Sequence, residues 1–229
     1  MSETADQLTQ KTLSITILFL AVFGLILFTP AGSFDYWQAW AYWAVFSAAV
    51  LFITLYFFLT DPKLIENRLR GGPTAEKERS QKIIQAFSSI FFILLILLPG
   101  IDHRFGWSEV PVPLVLTGDI FIALGFFIVF LTFRENRYAS SIIIVDAGQR
   151  VIASGPYEIV RHPMYAGAIL VILFTPIALG SVLTLPVVVP LCAGIVWRLL
   201  DEEKFLSVHL TGYDEYCLKT RYHLIPNIW

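Results

Sequence analysis

The sequence predicts an all-α, polytopic membrane protein with about six hydrophobic helices, of which five to six span the bilayer. Of its 229 residues, 56% are hydrophobic and only 15% are charged, whereas about a quarter of a soluble domain is charged. The apolar residues fall in six runs, and the basic residues are divided unequally between the segments that separate them. Nothing in this pattern divides the chain, so residues 1–229 are expected to form a single integral membrane domain.

The six apolar runs define the predicted helices. They are Leu13–Phe28, Tyr36–Leu59, Ile83–Leu98, Leu114–Phe133, Tyr165–Leu179 and Leu183–Trp197. The second and fourth reach the length of about 20 residues that crosses hydrocarbon. The last two are nearly continuous in sequence and predict a short helical hairpin, which Pro176, Pro186 and Pro190 should kink or locally break.

The basic residues predict the orientation of these helices. With six spans, all of the 16 Lys and Arg residues except Arg104 lie on one side of the membrane. By the positive-inside rule that side, which carries both termini, is cytoplasmic. The Asp61–Lys82 connector lies on this side, and its mixed charge predicts an amphipathic segment that faces lipid.

Composition and spacing exclude several classes of function. The formal net charge of -2 provides no basic field for nucleic acid. Cys192 and Cys217 form no spacing motif, and the four histidines are far apart in sequence. We therefore expect no nucleic-acid partner, no disulfide and no metal ion.

The most informative stretch is polar and runs from Gly155 to Gly167 between two apolar runs. Pro163 biases His162 out of the helical region and suits the first position of a helix that follows. The open start of that helix favours an anionic group, and Arg161 beside it could bind a carboxylate through two parallel hydrogen bonds. Gly167 allows close approach on the same helix. The alternative is that Arg161 and His162 only anchor a membrane helix at the interface.

Two further polar clusters lie on the predicted cytoplasmic side. The first, Arg134–Tyr138, ends the fourth apolar run, and the second runs from Arg198 to Leu206 after the sixth. On a continuing helix Arg198 and Glu202 are four residues apart and could pair. Taken alone, the two clusters could be a solvated helix cap and a solvated helix face.

Three separated motifs resemble, in order, the isoprenylcysteine carboxyl methyltransferase family and its phospholipid methyltransferase relatives. They are Glu135-Asn136-Arg137, Arg161-His162-Pro163-Met164-Tyr165-Ala166-Gly167, and Glu202-Glu203 with Leu206 three residues later. The resemblance covers about residues 134–229, which it identifies as the cofactor-binding part, and residues 1–133 supply the N-terminal helices. It also implies the inner or plasma membrane of a prokaryote.

The resemblance implies S-adenosyl-L-methionine as cofactor, enclosed by a cytoplasmic C-terminal segment. The implied cofactor-binding residues are Tyr157, Arg161, His162, Pro163, Tyr165, Gly167, Glu202, Glu203 and Leu206. The implied reaction is methyl transfer to a lipophilic acceptor from the bilayer, and a carboxylate acceptor is favoured over an amine or hydroxyl. Arg137 or Arg134 would hold a carboxylate, whereas Glu135, Glu202 or Glu203 would take the proton from an amine or hydroxyl.

Two other classes of function remain open at this point. A sterol-type membrane reductase that uses NADPH resembles this family in its C-terminal architecture, although it would need more basic residues for the 2′-phosphate than Arg161 alone. A non-enzymatic membrane binding or assembly protein is the second class. The sequence leaves the oligomeric state and the identity of the acceptor open.

Overall fold

The computed structural model describes residues 5–69, 79–139, 143, 145 and 148–229, and within these ranges the chain is helical without any strand. The helices are α1 (Ala5–Ala31), α2 (Trp37–Thr60), α3 (Pro62–Leu69), α4 (Arg79–Phe105), α5 (Val112–Glu135), α6 (Pro163–Ala178), α7 (Leu185–His209) and α8 (Tyr213–Lys219), and a 3-10 turn at Gly155–Glu158 precedes α6. The predicted all-α class is confirmed.

Among the described residues, four helices are long and apolar enough to cross a bilayer, namely Gln10–Ala31 of α1 together with α2, α4 and α5. Large apolar side chains cover their outer surfaces, and Leu18, Leu25 and Ile120 are each more than 60% exposed. Such surfaces need a hydrocarbon environment, and helices are the elements that satisfy their own backbone there. The protein is therefore an integral membrane protein, as the sequence predicts.

The last two apolar runs become α6 and α7, which form the predicted hairpin. Only α6 is short, with 16 residues, whereas α7 has 25 and continues through the polar Arg198–Leu206 cluster. Of the predicted kink or local break at the prolines, the break is wrong, and the kink stays a prediction. Pro186 lies in the first turn of α7, where its missing N–H costs no bond, and Pro176 lies in the last turn of α6. Both helices are continuous through their prolines.

The described part of the Asp61–Lys82 connector contains a short helix that the apolar runs do not predict. Helix α3 buries Leu64 and Ile65, which are 1% and 7% exposed. These side chains pack on aromatic residues of α2 and α5, namely Phe57, Phe130 and Phe133. The apolar side of α3 thus faces protein rather than lipid, so the predicted orientation is wrong for this segment. Residues 70–78 of the connector lie outside the described ranges.

Close contact between α5 and α6 fixes the position of the polar stretch. A Cβ atom on Gly167 would lie 2.6 Å from the carbonyl oxygen of Gly125, and one on Gly125 would lie 2.7 Å from the carbonyl oxygen of Gly167. Small residues permit this approach of two backbones, as is common between membrane helices. The close approach expected at Gly167 therefore occurs, and it is made against α5.

The C-terminal segment returns to the start of α6. The backbone N–H of Arg161 donates to the carbonyl of Tyr222 at 2.8 Å, and that of His162 donates to the carbonyl of His223 at 3.0 Å. The carbonyl of Tyr157, in the 3-10 turn, accepts hydrogen bonds from the hydroxyl groups of Tyr216 in α8 and of Thr220, which follows α8. These bonds hold the C-terminal segment against the polar stretch.

Candidate functional site

The site begins at the N-terminal end of α6. Pro163 is the first residue of the helix and His162 is its N-cap, as the sequence predicts, and no side chain caps this end. The first turn of a helix leaves N–H groups without partners inside the helix and carries the positive end of the helix dipole. The end of α6 is therefore able to bind an anion.

Arg161 is fully engaged with the protein itself. Its Nη1 lies 3.3 Å from both carboxylate oxygens of Glu203, its Nε donates to the carbonyl of Thr220 at 2.7 Å, and its Nη2 donates to the carbonyl of Cys217 at 3.0 Å. The carboxylate that Arg161 binds in this structure is thus an internal one. The guanidinium joins α7 to the C-terminal segment.

Glu203 is the centre of this cluster. Its Oε1 atom lies 3.0 Å from Nε2 of His162 and 3.0 Å from Nδ1 of His223, and its side chain is only 15% exposed. Burial by itself would raise the pKa of the Glu203 carboxyl. The hydrogen bond from His162 and the charges of His162, His223 and Arg161 outweigh burial and lower that pKa below its ordinary value.

The same cluster has the spacing of a three-ligand metal site. Atoms of His162, Glu203 and His223 that could act as ligands lie within 4.8 Å of one another. The guanidinium of Arg161 contacts the same carboxylate, so its positive charge opposes a divalent cation there. The absence of a metal remains a prediction.

A second polar network lies beside the first and centres on Tyr165 of α6. The Tyr165 hydroxyl donates to Oε2 of Glu202 at 2.6 Å and accepts from Nε of Arg198 at 3.1 Å. Arg198 and Glu202, which the sequence indicates could pair, are thus joined through a tyrosine from another helix.

Gln81, Asp201 and Ser80 extend this network, and no pattern in the sequence predicted their contacts. Nη1 of Arg198 donates to Oε1 of Gln81 at 2.8 Å, and Oδ2 of Asp201 accepts from Nε2 of Gln81 at 2.5 Å and from the Ser80 hydroxyl at 2.9 Å. Gln81 is 1% exposed. The available signal was the polar pair Ser80 and Gln81, which lies with Lys82 just before the apolar run of α4, but in sequence it is indistinguishable from a solvated helix start.

These networks line a polar cleft between α6, α7 and the C-terminal segment. Most of the predicted cofactor-binding residues line it, namely Tyr157, Arg161, His162, Pro163, Tyr165, Glu202 and Leu206. Its enclosed part measures about 110 Å³. Glu203 lies behind this wall and holds Arg161 and His162, and Gly167 packs on α5. The structure thus brings together seven of the nine residues around one space.

A larger, mostly apolar cleft of about 580 Å³ lies next to the polar one, among α4, α5, α6 and α7. Met164, Tyr165 and Arg198 line both clefts. The side chains of Tyr165 and Arg198 therefore stand between a polar space and a space lined by carbon. No motif in the sequence predicts the apolar cleft, since its walls come from four separate apolar runs.

The predicted acceptor residues at the end of α5 lie elsewhere. Arg134 is exposed, and Arg137 is 74% exposed with its Nε 3.9 Å from Oδ2 of Asp61. Glu135 accepts a hydrogen bond from the Ser154 hydroxyl. None of Arg134, Glu135 and Arg137 is among the residues that line the two clefts in the described part of the chain.

Asn136, in the same cluster, does reach the polar cleft. Its Nδ2 donates to the hydroxyl oxygen of Tyr157 at 2.9 Å, which leaves the Tyr157 proton available for another acceptor. Burial raises the pKa of Tyr157 to about 12, so this hydroxyl is neutral at physiological pH. It is a hydrogen-bond donor rather than a base.

The Tyr213 hydroxyl is an unsatisfied group in the wall of the polar cleft. It is buried and makes no hydrogen bond to nitrogen or oxygen among the described residues, and the Cys217 thiol, a weak partner, interacts with it. A buried hydroxyl without a strong partner is costly. A ligand with a polar group would satisfy it.

A comparison with known protein families matches a segment that contains most of the residues lining the polar cleft. Residues 114–211 match the model of a family described as phospholipid methyltransferase, which confirms the resemblance inferred from the motifs over this segment. The segment runs from α5 to the end of α7 and includes the start of α6, Glu202 and Glu203, whereas His223 and Gln81, which bind into the two networks, lie outside it. The chain is also similar to the mouse (Mus musculus) Delta(14)-sterol reductase, with 30% identity over 106 residues, which are 43% of this chain and 25% of the reductase. The chain thus matches about a quarter of the length of this curated relative.

Proposed function

We propose that the protein transfers a methyl group from S-adenosyl-L-methionine to a lipophilic acceptor at the membrane interface. The observation that carries this proposal is the contact between the two clefts at Met164, Tyr165 and Arg198. A soluble donor needs a polar site, a lipid acceptor needs an apolar one, and the reacting groups must meet where the two adjoin. The family match over residues 114–211 covers both clefts in part.

The groups that line the polar cleft fit this cofactor chemically. The uncapped start of α6 suits its carboxylate, Glu202 suits its ammonium group, and the Tyr213 hydroxyl offers an unused hydrogen-bonding group for the nucleoside. Aromatic rings of Tyr157 and Tyr216 supply stacking surface. When bound, the cofactor supplies a methyl group attached to positively charged sulfur. The residues of the chain position the acceptor in line with that methyl group and exclude water.

We propose a carboxylate as the acceptor group. A carboxylate is already anionic, so it could take the methyl group that the bound cofactor would supply, with the carbon–sulfur electron pair left on sulfur and no proton removed; the chain would have only to hold and orient it. An amine acceptor would need a base, for which Glu202 in the wall of the polar cleft would be the candidate, whereas Glu135 lines neither cleft. Glu203 is held by Arg161 and two histidines, so it is unsuited to that role.

We expect labelled methyl from S-adenosylmethionine to appear in the lipid extract of a membrane preparation that contains the protein. Mild base should release this label as volatile methanol, because methyl esters hydrolyse and N-methyl groups do not. The control is a preparation without the protein. Label that resists base would exclude the carboxylate, and label only in water-soluble molecules would contradict a lipid acceptor.

A second candidate function is the reduction of a sterol-type double bond with NADPH. The similarity to the Delta(14)-sterol reductase favours it. The exposed Arg150 at the edge of the polar cleft could meet a 2′-phosphate. The methyltransferase proposal is preferred because two further arginines in the wall of this cleft are already bound, Arg161 to Glu203 and Arg198 to Tyr165 and Gln81.

We also propose that both termini are cytoplasmic, so that the polar cleft opens to the cytoplasm of a prokaryote, and that residues 1–229 act as one unit. In a background with Cys192 and Cys217 replaced by Ser, Glu109→Cys should react with a membrane-impermeant maleimide in intact cells. Lys219→Cys should react only after lysis. Both positions are exposed, so the reverse pattern would place the cleft on the other side of the membrane.

A further inference from the structure

The apolar cleft is open toward the bilayer at α4. Its wall is formed largely by apolar side chains, among them Ile84, Phe92, Ile93, Ile172, Leu191 and Ile195. Ile93 lines the cleft and is also 49% exposed on the outer surface. From Ile84 to Ile93 the wall extends for roughly 13 Å along the helix. The volume of about 580 Å³ is ample for a flexible hydrocarbon chain.

One end of this cleft is positively charged. Arg68 reaches it from α3, with its guanidinium 4.8 Å from the centre of the Phe133 ring and Nη1 3.8 Å from the sulfur of Met164. The buried Leu64 and Ile65 hold α3 in place on α2 and α5. Arg68 is therefore a fixed part of the cleft wall rather than a mobile surface side chain.

The second charge at this end is Arg198 of α7. Its bonds to Tyr165 and Gln81 orient the guanidinium at the boundary of the two clefts. Burial lowers the pKa of Arg68, the Tyr165 hydroxyl opposes this shift, and the positive charge of Arg198 adds to it. Both guanidinium groups line the cleft, so a carboxylate that enters it can receive charge-assisted hydrogen bonds from them.

Apolar walls that end at two arginines define the chemistry of the occupant. We propose that the apolar cleft takes a single-chain amphiphile whose carboxylate is held by Arg68 and Arg198, with Arg68 as the residue that selects an anionic headgroup. This inference rests on the proposed function, because it places the carboxylate beside Tyr165 and next to the polar cleft. It also replaces Arg134 and Arg137, which line neither cleft, as the arginines that hold the acceptor.

The test uses palmitic acid with a mid-chain photoreactive diazirine and a terminal alkyne, and as matched probe its methyl ester. The detergent-purified full chain should be labelled by the acid at the cleft wall, around Phe92 and Ile195. Labelling by the ester should be weaker by about tenfold, since a charge-assisted pair is lost. Arg68→Gln should reduce labelling by the acid to the level of the ester.

The matched control is Lys82→Gln, which removes an exposed positive charge at the same end of α4 without touching the cleft; labelling should not change. Ile93→Trp should block labelling by both probes, because the ring fills the open side while both arginines remain. Helical circular dichroism and a single monodisperse peak in detergent gel filtration serve as the measure of correct folding for each variant, so that folding is judged independently of cofactor binding.

Equal labelling by the acid and the ester, or full labelling of a folded Arg68→Gln variant, would overturn the inference. Stronger competition by hexadecyl phosphate than by palmitate would overturn the carboxylate in favour of a phosphate headgroup. Arg68-dependent labelling in a protein that does not bind S-adenosylhomocysteine would support the cleft assignment and refute the methyltransferase proposal. The two proposals can therefore fail separately.

Discussion

Replacing Glu203 by Ala should lower the affinity for S-adenosylhomocysteine by at least about 100-fold, because breaking a buried ion pair costs about 3–5 kcal/mol. The carboxylate neutralises Arg161 and lies against His162 and His223. Without it three groups with positive or potentially positive charge face one another. The C-terminal segment, which is held to the start of α6 through the same residues, should then detach from the polar cleft.

Calorimetric titration of the purified variant with S-adenosylhomocysteine measures this effect. Glu203→Gln should show a smaller loss, since the amide oxygen can still accept hydrogen bonds. The matched control is Glu215→Ala, which removes an exposed carboxylate from α8 in the same segment and should bind normally. Unchanged affinity in Glu203→Ala would show that the cluster does not support the cleft.

The lowered pKa of Glu203 gives the same prediction a pH dependence. Its ordinary value is 4.5 and its value in the folded protein is lower. A carboxyl with a depressed pKa contributes stability that is complete above the ordinary value and is lost as the pH falls through the folded one. Cofactor affinity should therefore show no loss from this group at neutral pH and should fall only below about pH 4.5. In Glu203→Gln this acid limb should be absent.

Replacing Gly167 by Ala should destabilise the protein by about 3 kcal/mol, at the upper end of the usual cost of overpacking. The new Cβ would lie 2.6 Å from the carbonyl oxygen of Gly125 and 3.0 Å from Cγ2 of Val129. The backbone atom cannot turn aside as a side chain could, so α5 and α6 have to move apart. Gly125→Ala should have a similar effect from the other side of the contact.

Reversible unfolding in mixed micelles of dodecyl sulfate measures this change in the free energy of unfolding. Ala193→Val is the matched control, because it adds carbon at an exposed position of α7 and should cost little. A Gly167→Ala variant as stable as the parent would show that the two helices are not in backbone contact. The position of Tyr165 on α6, which depends on that contact, would then be contradicted as well.

The sequence predicts those parts of the fold that depend on local pattern. Six apolar runs correspond to α1, α2, α4, α5, α6 and α7, because length and hydrophobicity suffice to identify a membrane helix. Helix α3 escaped detection because its eight residues include only a few apolar ones, and burial of Leu64 and Ile65 against other helices stabilises it. The break predicted at the prolines did not occur. The energetic cost of a proline depends on its place in the helix, and Pro186 and Pro176 lie in a first and a last turn, which can be predicted only when the helix ends are known.

The sequence predicted which residues meet at the candidate site but not which of them form hydrogen bonds or ion pairs with one another. The proline after His162 identified the start of α6, and seven predicted residues do share one cleft. The partner of Arg161 was not predictable, since Glu203 follows 42 residues later on another helix. The bond between Gln81 and Asp201 joins residues 120 apart. Such pairings follow from the packing of helices, and no local spacing encodes them.

Calorimetric titration of the detergent-purified protein with S-adenosylhomocysteine and, separately, with NADPH tests which cofactor the polar cleft binds. We expect S-adenosylhomocysteine to bind at one site per chain, NADPH not to bind, and Glu203→Ala to abolish the heat of binding. Binding of NADPH without binding of S-adenosylhomocysteine would refute the methyltransferase proposal and favour a reductase.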